Sequence, residues 1–257
     1  MPESKSKKAR IISVDVNAIS MDIIYETLKE WINLKVGKYI CVTGAHGCVE
    51  SNEDKKIQLA HNSADIVVPD GRPVFWMLRL LGNQEAQHIR GFDLIGDVCN
   101  FCEKNNYTVG FYGGAENVIK KSITNVKVTN PNLNIRYLFS PPFRNLENIE
   151  EEKIVKDINS SGVNILFVAL GCPKQELWMN ENKNKLNCVC IGVGAAVNYL
   201  AGDLISAPKF LQVFGLEWLF RLIIEPKRLY KRYFKIVPKF MYLSLIELIK
   251  LKFFNKG

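Results

Sequence analysis

The C-terminal tail has no apolar run long enough to span a bilayer: from Phe214 on its longest uncharged stretch is Phe240 to Ile246, against the roughly 20 residues a spanning helix needs. Paired cysteine chemistry is missing too. Seven cysteines are an odd number for an extracellular framework, and Cys99-x-x-Cys102 lacks the second pair of a four-cysteine zinc site, so reduced packing thiols are expected. Neither G-x-G-x-x-G nor G-x-x-x-x-G-K-S/T occurs, so a dinucleotide or P-loop reading lacks its fingerprint. The start M-P-E-S-K-S-K-K-A-R is basic, but IISVDVNAISMDII behind it carries two acids and no long apolar core. That is a poor signal peptide, and a cytosol-facing protein is expected.

What is present is core-building material, 47% hydrophobic residues in a chain of 257, enough for one large domain or a domain with an appendage. The charge is unevenly placed. Residues 1 to 208 carry 23 basic and 23 acidic side chains, and residues 209 to 257 carry 11 and 3, so the whole net charge of +8 lies in the last fifth. We therefore divide the chain into an α/β domain over 1–208 and a basic appendage over 209–257, whose partner is anionic: a membrane surface, a nucleic acid or a phosphorylated ligand.

Strand-like and helix-like segments alternate from the start, the pattern of an α/β fold with a largely parallel sheet flanked by helices. Strands are expected at Ile11 to Val16, Tyr39 to Thr43, Ile66 to Val68, Thr108 to Tyr112, Ile135 to Phe139, Asn164 to Leu170 and Cys188 to Val193. Helices are expected at Ile23 to Leu34, Val74 to Leu81 and Asp93 to Asn105.

Several of these strands run into unusual turns. In D-I-V-V-P-D-G-R-P, residues 65 to 73, a β-branched run stops at Pro69-Asp70-Gly71, which puts Asp70 at a strand end. Ligands of open α/β sheets bind at the carboxyl ends of strands, so Asp70 is a candidate for chemistry; a turn aspartate bonding its own backbone is the alternative. Gly44-Ala45-His46-Gly47, Gly113-Gly114 and Gly171-Cys172-Pro173-Lys174-Gln175-Glu176 follow other strands. Glycine there lets a ligand approach the backbone, and a helix starting near Pro173 would offer free N–H groups to an anion. In the tail, aromatic and aliphatic residues interleave with Lys and Arg, which suits an interfacial amphipathic helix at lipid headgroups. A packed terminal helix or a homo-oligomer contact is the competing reading.

The ordered set T-G-A-H-G, A-D-I-V-V-P-D-G, G-F-D, F-Y-G-G, G-C-P-K-Q-E, A-G and A-P, then G-L-E-W-L-F-R-L-I-I-E-P-K-R, resembles the WecG/TagA/CpsF family of bacterial glycosyltransferases from about Ile11 to Arg232. The resemblance implies a Rossmann-like fold. It also implies transfer of a hexose, in the best-known members N-acetylmannosamine, from a UDP-sugar to an undecaprenyl-diphosphate-linked saccharide in teichoic acid, capsule or other surface-polysaccharide synthesis. With it come a peripheral place on the cytoplasmic face of the membrane and no cofactor.

By this resemblance Asp70 matches the base that takes the acceptor proton, Thr43 a substrate-pocket threonine, and Gln175 the glutamine of the PKQE element. Gly113 and Gly114 fit a nucleotide-facing turn. The sequence has no D-x-D to hold a metal on the diphosphate, so Arg221, Arg228 and Arg232, placed like the family's tail arginines, are expected to stabilise the leaving group, or simply to bind headgroups. The chain departs from the family where T-x-N is replaced by Thr43-Gly44-Ala45, where His88 falls on a pocket arginine with Arg90 two places on, and where Asn198 replaces an aspartate. Polar pocket positions have thus changed together, so N-acetylmannosamine is not assumed as the sugar.

Only three histidines exist. His46, in a glycine-flanked turn, is a candidate second base, and His88 a candidate substrate contact; His61 is read as structural. A metal site built from these histidines with Asp70 has no recognised ligand spacing. Two other classes stay open: a nucleic-acid-binding protein, which leaves the PDG and PKQE turns unexplained, and a noncatalytic nucleotide-sugar sensor.

Overall fold

A computed structural model describes the backbone of residues 6–254 and the side chains to residue 250. The first five residues of the basic start and the last residues of the tail lie outside it. Six strands form one all-parallel sheet: β3 (Lys38–Thr43), β4 (Ile66–Pro69), β5 (Thr108–Gly113), β6 (Asn134–Phe139), β7 (Ile165–Ala169) and β8 (Val189–Gly192), in the order β4-β3-β8-β7-β5-β6. A parallel sheet needs cover on both faces, and the sequence supplies it: β4, β7 and β8 are buried at every position. Alternate residues feed two cores. Ile165 and Phe167 face one with Ile40, Val68 and Ile191, while Leu166 and Val168 face the other with Cys41, Val67 and Cys190.

The expected strand Ile11 to Val16 is corrected to a hairpin. β1 (Lys8–Ile11) and β2 (Val14–Asn17) pair antiparallel, with Ile12 at φ 61° and the Ser13 N–H donating to the Ile11 carbonyl at 2.7 Å. An isoleucine in left-handed conformation carries none of the Asn-Gly chemistry that marks a two-residue turn, so the β-branched run hid it. The small sheet is tied to the large one through Asn17, whose side-chain oxygen accepts from the Val67 N–H at 2.8 Å.

Helices follow the amphipathic segments: Met21–Leu34, Arg72–Leu80 and Gly91–Lys104 start before the expected ranges, the last two stop one residue short of them, and the third buries Leu94, Val98, Phe101 and Cys102. After β8 come the short helix Ala196–Leu200, a turn and loop over 201–208, and then the helices Lys209–Val213, Glu217–Ile224 and the long helix Pro226–Phe254. One face of the long helix joins the core through Leu229, Ile236 and Phe240. Two anchors hold it there. Glu247 accepts from the Ile12 N–H at 2.9 Å, and Lys235 and Lys239 both reach Glu53. No helix among the described residues is long and apolar enough to cross a membrane.

Candidate active site

The carboxyl ends of β3, β4, β7 and β8 open on one cavity of about 980 Å³, roofed by the C-terminal helices. Of the residues singled out in the sequence, Thr43, His46, Asp70, Gln175, Arg221, Arg228 and Arg232 line it. His88, Arg90, Gly113, Gly114 and Asn198 do not.

Asp70 follows β4 directly. Its N–H donates to the Thr43 carbonyl at 3.0 Å, continuing the β3–β4 ladder by one bond, and Gly71 at φ 76° turns the chain into the next helix. The carboxylate is thereby aimed across the strand ends, where Oδ1 accepts from the Gly91 N–H at 3.1 Å. Burial pushes the Asp70 carboxyl above the ordinary aspartate range, partly offset by the Gly91 bond and by the charges of Arg221 and Arg90. A carboxylate in this state is a better base than a solvated one.

Thr43 and Gln175 form the polar floor. Both are buried, and Thr43 Oγ1 and Gln175 Oε1 have no hydrogen-bond partner among the described residues. Gln175 Nε2 donates to Glu176 Oε1 at 2.8 Å, which fixes the amide. A Cβ at Gly192 would come within 3.0 Å of that nitrogen and 2.7 Å of Met179 Cε, so the bare backbone there makes room for the glutamine. Unmatched buried acceptors beside a cavity are groups that a ligand can satisfy.

His46 is the second residue of the helix Ala45–Glu53, with Nε2 3.5 Å from Glu50 Oε1. Burial, then the charge of Arg232, push it down to about 4, so at neutral pH the ring is uncharged and the Glu50 contact is not an ion pair. His88 packs on Phe75, ring centroids 5.7 Å apart, and is likewise pushed down to about 4, by burial and by Arg72 and Arg90.

The roof brings cations. Arg221 lies 5.4 Å from the Tyr199 ring centre, and its buried Nε is unpartnered among the described residues. Arg228 is a bidentate partner of Glu225 at 2.9 and 2.6 Å, and Arg232 lines the wall near His46. Beyond them the wall turns apolar, with Ile236, Phe240, Met241, Leu245 and Leu248. Arg90, outside the lining, still reaches the site: Nη1 donates to Gln212 at 2.8 Å and Nε is 3.6 Å from Glu217.

The Gly113-Gly114 turn is shaped by packing. Both have positive φ, and a Cβ on Gly113 would sit 2.7 Å from the Ala169 carbonyl carbon. Asn198 donates to the Ala195 carbonyl at 3.4 Å within its own turn.

A profile described as the glycosyl transferase WecG/TagA/CpsF family matches residues 9–253. The chain belongs to this family. Curated relatives agree with it across most of their length. An enzyme of Bacillus spizizenii is 28% identical over 77% of this chain and 76% of its own, and one of Bacillus subtilis is 28% identical over 85% and 83%. One of Staphylococcus aureus is 26% identical over 93% and 92%. All three are named N-acetylglucosaminyldiphosphoundecaprenol N-acetyl-beta-D-mannosaminyltransferase.

Within this family frame, two groups stand out that the sequence reading passed over. Glu217, in the quoted G-L-E-W-L-F-R element, lines the cavity and is pushed above the ordinary range by burial, with Asp70 adding to the effect. Its place in a matched motif was the available signal. His61, read as structural, is fully buried in the helix Lys55–Asn62 yet lines the cavity floor with Cys172 and Glu176. Nothing in the spacing of residues 61, 172 and 176 announces that meeting.

Proposed function

We propose that this glycosyltransferase moves a hexose from a UDP-sugar to an N-acetylglucosamine carried on undecaprenyl diphosphate, with inversion, in the assembly of a cell-surface polymer. The observation that carries this reading is the cavity's division into three parts. Asp70, Thr43 and Gln175 lie at the strand-end side, Arg221, Arg228 and Arg232 come from the C-terminal helices, and along the long helix the arginines are followed by the apolar lining residues Ile236, Phe240 and Leu248. A sugar, a diphosphate and the start of a lipid chain call for these three kinds of lining. The names of the relatives supply the acceptor.

In the proposed reaction Asp70 accepts the proton of the acceptor hydroxyl as its oxygen attacks the anomeric carbon. The bond from that carbon to the diphosphate oxygen breaks, and the nucleoside diphosphate leaves with the electron pair. Arg221, whose Nε has no partner among the described residues, and Arg232 stabilise the charge that develops there, in place of a metal. Gln175 and Thr43 orient the sugar. His46 stays neutral and acts as a hydrogen-bonding group rather than a second base.

The protein works from the cytoplasmic face, docked by its tail. Tyr230, Phe234 and Ile249 are 44%, 76% and 46% exposed, lie outside the cavity lining and fall on one side of the long helix, with Lys227 and Lys231. The basic excess of residues 209 to 257 then faces anionic headgroups.

Release of UDP from a panel of UDP-sugars, with a short-chain lipid-diphosphate N-acetylglucosamine acceptor and with or without EDTA, tests the reading. Turnover of one sugar, undiminished by EDTA, is expected. UDP-sugar binding without any turnover would make the protein a sensor instead. The donor is left to the panel because Ala45, His88 and Asn198 differ from the family pattern.

A further inference from the structure

We propose that His61, Cys172 and Glu176 form a binding site for a zinc-class divalent cation on the floor of the cavity. Their ligand atoms all lie within 4.8 Å of one another. Even with every pair at that limit, a point equidistant from the three is about 2.8 Å from each, against about 2.0–2.3 Å for zinc bonds, so a contraction of less than an ångström closes the site.

The hydrogen bonds around His61 already select the ligand atom. Nδ1 lies 3.1 Å from the Ile57 carbonyl, which can only accept, so Nδ1 carries the proton and Nε2 presents a lone pair. Ser51 Oγ, 3.0 Å away, holds the same edge of the ring. Nε2 belongs to a fully buried residue and has no partner among the described residues. Glu176 is buried beside it: Oε1 accepts from Gln175, and Oε2 has no partner among the described residues other than the neighbouring Cys172 thiol, which hydrogen-bonds to this carboxyl group.

Space is kept open as well. A Cβ at Gly47 would stand 3.1 Å from His61 Nε2, and glycine leaves that approach clear. Cys172 lies on the turn after β7 and, like the other two, lines the cavity, so a fourth coordination position is open to water or a ligand.

Nitrogen, sulfur and a single carboxylate are donors for zinc and its neighbours, not for the magnesium or manganese that bridge diphosphates through oxygen. The site is therefore additional to the proposed transfer chemistry, and its occupancy is measurable with no sugar or lipid present. On binding, the Cys172 thiol forms the sulfur–metal bond and releases its proton to solvent.

The test uses the full chain, stripped with chelator and titrated with Zn²⁺ by equilibrium dialysis, and with Co²⁺ by absorption. One equivalent of zinc per chain is expected, with a sulfur-to-cobalt charge-transfer band, neither displaced by excess Mg²⁺. Cys172→Ala is expected to lose the band and weaken zinc binding at least about 100-fold while keeping the wild-type circular dichroism. If the wild-type protein gives no band, the cluster is only a buried hydrogen-bonded group and the proposal fails, whatever the variant does. A band that survives in Cys172→Ala places the metal on another thiol and also overturns it.

Discussion

On the floor of the cavity Thr43 ends β3, Asp70 follows β4 directly and Gln175 lies in the first turn of the helix after β7, whereas on its roof Arg221 and Arg232 arrive on helices from the far end of the chain. The floor is built by the sheet and has little freedom: Asp70 is bonded through both its N–H and its carboxylate. The roof is held by one buried stripe of a helix and by ion pairs such as Lys235 with Glu53 at 2.7 Å, which are exposed and contribute little. Reaction chemistry belongs on the rigid side. Binding charge and membrane contact belong on the side that can yield.

That contrast breaks most sharply at the floor. Asp70→Asn should lower kcat by about 10²- to 10⁴-fold, the range for losing a general base, with little change in KM. Its stability should move the other way. Burial raises the folded pKa of Asp70, so ionisation at neutral pH opposes folding, and a neutral amide removes that cost. A higher melting temperature with lost activity is the expected pair of readings.

At the roof, Arg221→Ala should lower kcat by about 10²- to 10³-fold, comparable to the loss of one preorganised donor. A smaller effect is expected on the outer face. Phe234→Ser with Ile249→Ser, neither of which lines the cavity, should weaken sedimentation with anionic vesicles roughly tenfold and leave transfer to a short-chain acceptor unaltered. These substitutions are cleaner than truncation after Lys235, which would also remove Phe240 from the core.

The smallest effect concerns acid stability. His88 is held at about 4, below the ordinary histidine range, so the unfolded chain binds more protons between about pH 6.5 and 4 and stability falls as the pH drops through that window. His88→Gln should flatten this part of the melting curve against pH, as measured by thermal denaturation.

The floor was legible in the sequence and the roof only in part. Ile66 to Val68 followed by Pro69-Asp70-Gly71 announces a strand and a sharp turn, because local propensity and turn chemistry agree there. The hairpin at Ile12 was missed because its left-handed turn residue is β-branched. In the tail, the alternation of aromatic and basic residues gave an amphipathic helix, but which stripe packs on the domain depends on partners such as Glu53 and Ile12, far away in sequence. The meeting of His61 with Cys172 and Glu176 is tertiary for the same reason.

The most direct test of Asp70 as the base is the dependence of kcat/KM on pH, measured for the wild-type enzyme and for His46→Gln. Activity should rise with pH through one ionisation above the ordinary aspartate range, with the same midpoint in both proteins, because His46 titrates near 4 and carries no proton in the step. A midpoint that moves or vanishes in His46→Gln would assign the base to His46 and contradict the account.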